Sequence, residues 1–439
     1  MQTVAIIGSG IAGLSCAYFL APHFSVTLFE KNDYSGGHTN TIVVPPCGAE
    51  SEPVAMDTGF MVFNHETYPY LTRLFSDLGV ATKKTDMSFS VQYLPDKIEW
   101  NGAGLNKVFA QRRNLLSPRF WRMLKELDWF NKNAYSQLLD GGAAKDGSSI
   151  VHQTVQDYVV SNRLSEDFLN WYLIPMGASV WSTPADKMLS FPVAALIRFF
   201  HNHGFLGLDT HFQWYTVVGG ARNYVPLISA SFKNSIRHSA AVRSVRVIGE
   251  GPDKDCNSES SKMVEVICHD GSKETFDKVV FACHADEALA ALAAPTALQR
   301  ALLSPFKYQT NKITVHSDSS VMPDKRLAWA SWNYRVTAAA PTLHYWMNSL
   351  QGVSDRENYF VSLNSDSLIK ESKVHKKLEY THPVFDLKTF EAQKSLSDLH
   401  RLPDNQIYFC GSYFRNGFHE DALASAVDLA STILGRRVY

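Results

Sequence analysis

The residues best placed to do chemistry sit within the first forty positions. Gly8-Ser9-Gly10-Ile11-Ala12-Gly13 follows the apolar run Val4-Ala5-Ile6-Ile7 and leads into Leu14-Ser15-Cys16-Ala17-Tyr18-Phe19-Leu20. Glycines at this spacing, between a buried strand and a helix, bring backbone close to a pyrophosphate and leave helix N–H groups facing it. Gly8 makes the turn, Gly10 admits the phosphate, and Gly13 lets the helix pack on the strand. Glu30 ends a second strand, Ser25–Phe29, about twenty residues on, where an acid accepts hydrogen bonds from ribose hydroxyls. The chemistry implied is the holding of a dinucleotide.

Other reactive groups are sparser. The six cysteines, Cys16, Cys47, Cys256, Cys268, Cys283 and Cys410, form neither a CxxC pair nor a regular spacing, and most lie in apolar runs. They read as packed free thiols in a reducing compartment. No Ser-His-Asp order, HExxH or metal cluster is found. His201-Asn202-His203 reads as a solvated helix end rather than a ligand set. In His419-Glu420-Asp421 the acids complement a helix dipole. His316 and His382 are open between a structural and a proton-transfer role.

A second glycine pair, Lys31-Asn32-Asp33-Tyr34-Ser35-Gly36-Gly37-His38-Thr39, follows Glu30 directly. This run resembles the acid-then-glycine-pair signature of the flavin-containing amine oxidase superfamily. There the second loop and the residue after it approach the FAD pyrophosphate. Most members carry Arg where this chain has His38, which keeps a donor but weakens the charge. Asp57-Thr58-Gly59-Phe60 resembles the element that brings backbone near the isoalloxazine ring, with an ordinary turn as the alternative. Gly417-Phe418-His419-Glu420, after a strand ending at Cys410-Gly411, resembles the helix start that faces the flavin pyrimidine. The resemblance therefore implies FAD held by Gly8, Ser9, Gly10, Ile11, Ala12, Gly13, Glu30, Lys31, Gly36, Gly37, His38, Thr39, Asp57, Gly59, Phe60, Val242, Gly411, Phe418, His419 and Glu420. It also implies Lys312, in Asn311-Lys312-Ile313, as the candidate catalytic residue; an edge-strand surface lysine is the alternative. No cysteine follows in Ser412–Asn416, so the FAD is expected to be non-covalent. Gly219-Gly220 lacks the strand, helix and acid of a second dinucleotide site, which argues against an NADPH-fed reductase.

These residues need elements to position them. At 439 residues the chain is expected to form two interwoven domains. The fold class expected is α/β, α+β overall: a Rossmann-type FAD-binding domain of residues 1–80, 212–300 and 395–439 with a β-meander. A mixed helical and sheet substrate domain of residues 81–211 and 301–394 is interwoven with it. The meander strands are read at Ser239–Ile248, Met263–His269 and Thr275–Ala282, with Asp270-Gly271 as a hairpin turn and a polar loop from Gly249 to Lys262. Residues 81–211 read as a helical, aromatic-rich lobe interrupted by the loop 140–147. Its rings suit an apolar, elongated substrate or a packed core.

Hydrophobic residues make up 45% and charged residues 19%, and the net charge of −1 offers no field for nucleic acid. No segment reaches eighteen uninterrupted apolar residues and none reads as a leader, so a cytoplasmic protein without a membrane span is expected. The basic run Arg112, Arg113, Arg119, Arg122 and Lys125 suits a membrane surface or fatty carboxylate, or a solvated helix face.

The runs Met56–Asn64, Ala328–Tyr334, Tyr345–Asn348 and Gly417–Asp421 are similar to a superfamily branch known only as NAD/FAD-binding proteins. Its relatives include fatty acid double-bond isomerases and acyl-chain desaturases. The resemblance implies an FAD-dependent oxidoreductase that takes hydride from a C–H bond of a fatty acyl or other lipid substrate. The alternatives are an amine or polyamine oxidase producing hydrogen peroxide, and a non-catalytic flavin-bearing partner of a lipid-modifying enzyme. Oligomeric state is left open.

Overall fold

The computed structural model describes all residues except 47, 140–148, 208–211, 250–261, 338–339 and 403–404. The loop expected at 140–147 and most of the loop from Gly249 to Lys262 lie outside the described residues, as do Cys47 and Cys256.

A five-stranded parallel sheet anchors the glycine loops, in the order Ile236–Arg237, Ser25–Phe29, Thr3–Ile7, Lys278–Phe281, Ile407–Phe409. Thr3–Ile7 lies at its centre and is buried from Val4 onward, which is why its sequence is continuously apolar rather than alternating. The helix Ile11–Leu20 is apolar all round because it is covered all round, by this sheet and by the closing helix His419–Leu434. Cys16 and Cys410 meet there as buried free thiols, Sγ to Sγ 3.6 Å.

The meander forms from Val242–Ile248, Met263–Cys268 and Lys273–Phe276, all antiparallel. Asp270 accepts from the Ser272 N–H at 2.9 Å, and Gly271 takes φ +89°, completing the hairpin turn. The expected third strand, Thr275–Ala282, is divided in two. At Asp277, which accepts from the Thr3 N–H at 2.7 Å, the chain leaves the meander, and Lys278–Phe281 enters the parallel sheet. One apolar run thus serves two sheets, and its periodicity does not mark the break.

A seven-stranded sheet runs Val374–Val384, Lys307–His316, Phe360–Leu363, Pro341–Trp346, Trp332–Val336, Phe89–Tyr93, Ile98–Asn101. Its pairs are antiparallel except Trp332–Val336 with Phe89–Tyr93. Beside it lie the helices Pro118–Leu139, Ile174–Trp181 and Val193–Asn202, whose Phe130, Trp181 and Phe200 are buried. Much of the aromatic content is therefore core. Among the described residues no helix is long and apolar enough to cross a membrane.

Candidate active site

The carboxyl ends of the parallel strands open into a cavity of about 800 Å3. At one end the two glycine loops lie backbone against backbone. The Gly36 N–H donates to the Ser9 carbonyl at 2.9 Å, and a Cβ on Gly37 (φ +57°) would stand 3.2 Å from the Gly10 Cα. Gly10 is also the N-cap of Ile11–Leu20, where no side chain caps the helix and no acid occupies its first turn. A helix terminus left this way inside a cavity suits an anionic phosphate.

Glu30 is buried beside this loop. It accepts from the Ser9 N–H at 3.0 Å, from the Ser9 hydroxyl, and from the Asn32 N–H and Nδ2 at 2.8 and 2.9 Å. Two donors on each oxygen fix the carboxylate in place at the cavity wall. Lys31 pairs with Glu287 at 2.6 Å.

Midway, four imidazoles face the cavity: His38, His284, His382 and His419. The His38 ring lies 4.9 Å from Tyr380, 5.2 Å from His382 and 6.5 Å from His284. Its Nε2 is buried with no partner among the described residues, an orphaned group of the kind a bound cofactor satisfies. His419 stacks on Phe60 at 3.9 Å and shares a 2.8 Å hydrogen bond with the Tyr224 hydroxyl. Asn311 Nδ2 donates to His382 Nδ1 at 2.8 Å, so the ring proton of the neutral form sits on Nε2. Burial holds all four below the ordinary histidine value, to about 4 for His382 and about 3 for His419; His382, His284 and His419 depress His38 further.

These shifts set an acid limit. The buried His316 and His344 and the half-buried His203 and His400 are lowered too, mainly by desolvation. From about pH 6.5 down to about 4 the unfolded chain takes up protons that the native chain refuses, so stability falls as pH falls through that window. Burial raises Asp57 and Asp421 to about 6 and Glu420 to about 7. Those groups act with the opposite sign but are fewer. The melting temperature is expected to be lower at pH 5 than at pH 7 in scanning calorimetry; an equal or higher value at pH 5 contradicts this reading.

The far end is aromatic. Trp181, Phe199, His203 and Phe205 come from the helical lobe, Trp214 from the strand Trp214–Val217, Trp332 and Tyr345 from the large sheet, and Phe418 from the closing loop. Phe199 stacks on His203 at 3.7 Å and on Phe418 at 4.7 Å. The charged side chains of the lining are Glu30, Lys31, Arg243, Glu287 and Glu379; none belongs to this aromatic wall.

Most of the residues expected around FAD line this one cavity: Gly8, Ser9, Gly10, Ile11, Ala12, Glu30, Lys31, Gly36, Gly37, His38, Gly59, Phe60, Val242, Gly411, Phe418 and His419. Gly13, Thr39, Asp57 and Glu420 do not, and each supports the lining instead. A Cβ on Gly13 would fall 1.9 Å from the Gly8 carbonyl oxygen. The Thr39 hydroxyl bonds the Tyr224 hydroxyl that holds His419. Asp57 accepts from Thr41, the Ala221 N–H and Gln351 Nε2 beneath the Gly59 turn. Glu420 accepts from the Tyr70 and Leu71 N–H groups, and so caps the helix Pro69–Leu78 rather than its own.

Lys312 is corrected more sharply. Its side chain is exposed and pairs with Asp366 at 3.3 Å, outside the cavity lining. In the strand Lys307–His316 the inward residue is Asn311, and alternation puts Lys312 on the other face. Lys312→Met is expected to leave turnover within about twofold, as for surface changes generally; a loss beyond tenfold in steady-state rate contradicts this.

His316 bonds Ser362 away from the cavity and is structural. His203, read as part of a solvated helix end, is half-buried in the aromatic wall. It stacks on Phe199, which in turn stacks on the distant Phe418, and no local signal announces that second contact. His201 stacks on Tyr135 at 3.3 Å instead.

A family model for flavin-containing amine oxidoreductases matches residues 11–367. No curated protein sequence matches significantly. Among solved structures, cyclohexylamine oxidase from Brevibacterium oxydans IH-35A is 16% identical over 99% of both chains, with a TM-score of 0.67. Putrescine oxidase bound to putrescine is 14% identical over 99% of both chains, with a TM-score of 0.65. A CLA-producing fatty acid isomerase from P. acnes is 13% identical over 98% of both chains, with a TM-score of 0.61. At such identities these structures share the fold and leave the substrate open. The family match spans most of the chain, including the second glycine loop and all of the large sheet but the strand Val374–Val384, so this protein belongs to the flavin-containing amine oxidoreductases and is an FAD-dependent oxidoreductase.

Proposed function

We propose that the enzyme acts on an uncharged, apolar C–H substrate, a fatty acyl or other lipid chain, by desaturation or double-bond isomerisation. One observation carries this reading: the aromatic wall from Trp181 to Trp214, with Trp332, Tyr345 and Phe418, contributes no charged side chain. A polyamine placed there would lose hydration without gaining a counter-ion, a cost of several kcal/mol per charge. An alkyl chain would gain about 0.8 kcal/mol per buried CH2.

The uncapped helix at Gly10 and the orphaned His38 Nε2 fit FAD. In this reading the sixteen lining residues named above hold it without a covalent bond, within a domain of residues 1–80, 212–300 and 395–439. Residues 81–211 and 301–394 form the substrate domain. When bound, FAD supplies two-electron acceptance of a hydride from carbon. The chain supplies orientation and a place for the proton. His203 Nδ1–H donates to the Phe199 carbonyl at 2.9 Å, leaving Nε2 as the acceptor of a proton lost from the substrate. Burial lowers His203 to about 4, so the ring is neutral and ready at physiological pH.

Anaerobic mixing of the yellow holoprotein with unsaturated fatty acids, phospholipids and polyamines tests the proposal. Lipids are expected to bleach the flavin, or to be isomerised without net bleaching or oxygen uptake. Bleaching by polyamines alone would sink the lipid reading. Tight FAD with no lipid turned over and none bleaching it would favour a non-catalytic partner.

A further inference from the structure

The outer surface carries a second, unrelated feature. Four large apolar side chains stand exposed within seventeen residues: Leu105 (79%), Leu115 (45%), Leu116 (89%) and Trp121 (43%). They are neighbours in space as well. The Phe109 N–H donates to the Leu105 carbonyl, the Phe109 ring lies 5.2 Å from Trp121, and Trp121 Nε1 donates to the Leu115 carbonyl at 2.9 Å. These links gather the exposed apolar side chains into a ridge around the start of the helix Pro118–Leu139. Grouped exposure of this kind marks an interaction surface, whereas scattered single residues do not.

The charges beside it are of one sign. Arg112 donates to the Asn106 and Phe109 carbonyls and to Asn106 Oδ1, and Arg113 donates to the Lys97 carbonyl. Neither meets a carboxylate among the described residues, and neither do Lys107 and Lys125. Asp167 is matched by Arg119 and Arg122 at 2.6 and 2.9 Å, Asp96 by Arg119 at 3.2 Å, and Glu126 accepts from the Ser165 N–H and hydroxyl. Four cations therefore remain uncompensated around the exposed leucines.

We propose that this ridge docks the protein onto the surface of an anionic lipid bilayer. Leu105, Leu116 and Trp121 enter the headgroup and acyl boundary, while Lys107, Arg112, Arg113 and Lys125 meet lipid phosphates. A second copy of the chain is a poorer occupant, because a twofold contact sets the patch against itself and brings like charges together. The inference stands on the surface alone and does not depend on the substrate of the cavity.

Flotation of the full-length holoprotein with vesicles tests it. At low salt the protein is expected to float with phosphatidylcholine vesicles containing phosphatidylserine, but not with phosphatidylcholine alone, and salt should release it. Leu105→Ser with Leu116→Ser, and separately Lys107→Gln with Arg113→Gln, should each lower partitioning about tenfold or more. Both variants should keep the bound-flavin spectrum, which reports that the fold survives. Failure to float with either vesicle, equal binding to both, or unchanged binding of both variants overturns the proposal. So does a dimer in sedimentation equilibrium that the leucine variant abolishes, which would assign the ridge to a second copy.

Discussion

Gly13→Ala is expected to give a colourless protein with a lowered melting temperature, whereas Gly10→Ala is expected to be colourless with an unchanged apoprotein melt. The two glycines stand three residues apart and their surroundings explain the difference. A Cβ at position 13 would lie 1.9 Å from the Gly8 carbonyl oxygen and 3.3 Å from the Ala282 Cβ. Backbone must move to relieve that contact, and overpacking of this type costs about 1–3 kcal/mol or more. A Cβ at position 10 meets nothing of the chain within 4 Å. Its methyl would stand in the cavity, at the uncapped helix terminus proposed for the pyrophosphate. Fold and cofactor site are thus separable by one methyl group placed at either position. Apoprotein melting and the visible absorbance of protein passed through a desalting column measure both effects. Flavin retained by Gly10→Ala at wild-type affinity would remove the pyrophosphate from that position.

His203→Phe carries the second large effect. Phenylalanine preserves the stack on Phe199 but has no lone pair at the Nε2 position. General-base residues contribute about 10²- to 10⁴-fold. The low end, about 10²-fold in the rate of anaerobic flavin reduction, is expected here, because a base held at about 4 is weaker than one poised near 7. KM and the flavin spectrum should change little. A reduction rate equal to wild type would return His203 to a packing role.

The part of the site written in local sequence was legible from it. The two glycine loops, Glu30 and the Gly59 turn lie within sixty residues, and short-range geometry governs each of them. Residues whose role depends on distant partners were not legible. Lys312 lies on the outer face of its strand because a strand's inward face is set by its neighbours, here the His382 contact that turns Asn311 inward. Glu420 looked like an acid at its own helix start, yet its partners lie 350 positions back at Tyr70. His203 reads locally as a solvated helix end, and the ring it stacks on is covered by Phe418 of the distant closing loop. The split at Asp277 leaves no local signal, because both halves of Lys273–Phe281 are β-forming and nothing in their composition separates the two sheets.

The parallel sheet has a consequence for how the protein is made. The central strand Thr3–Ile7 pairs with Lys278–Phe281, and the helix that covers Ile11–Leu20 begins only at His419. At bacterial or eukaryotic translation rates of about 5–20 residues per second, the first strand emerges tens of seconds before its second neighbour exists. During that interval an apolar strand and an apolar helix are exposed together, a target for chaperones and for aggregation. The cofactor cradle is complete only when the last helix has left the ribosome. Nascent chains arrested before His419 should therefore take up no flavin, and flavin supply during expression should govern how much of the chain survives.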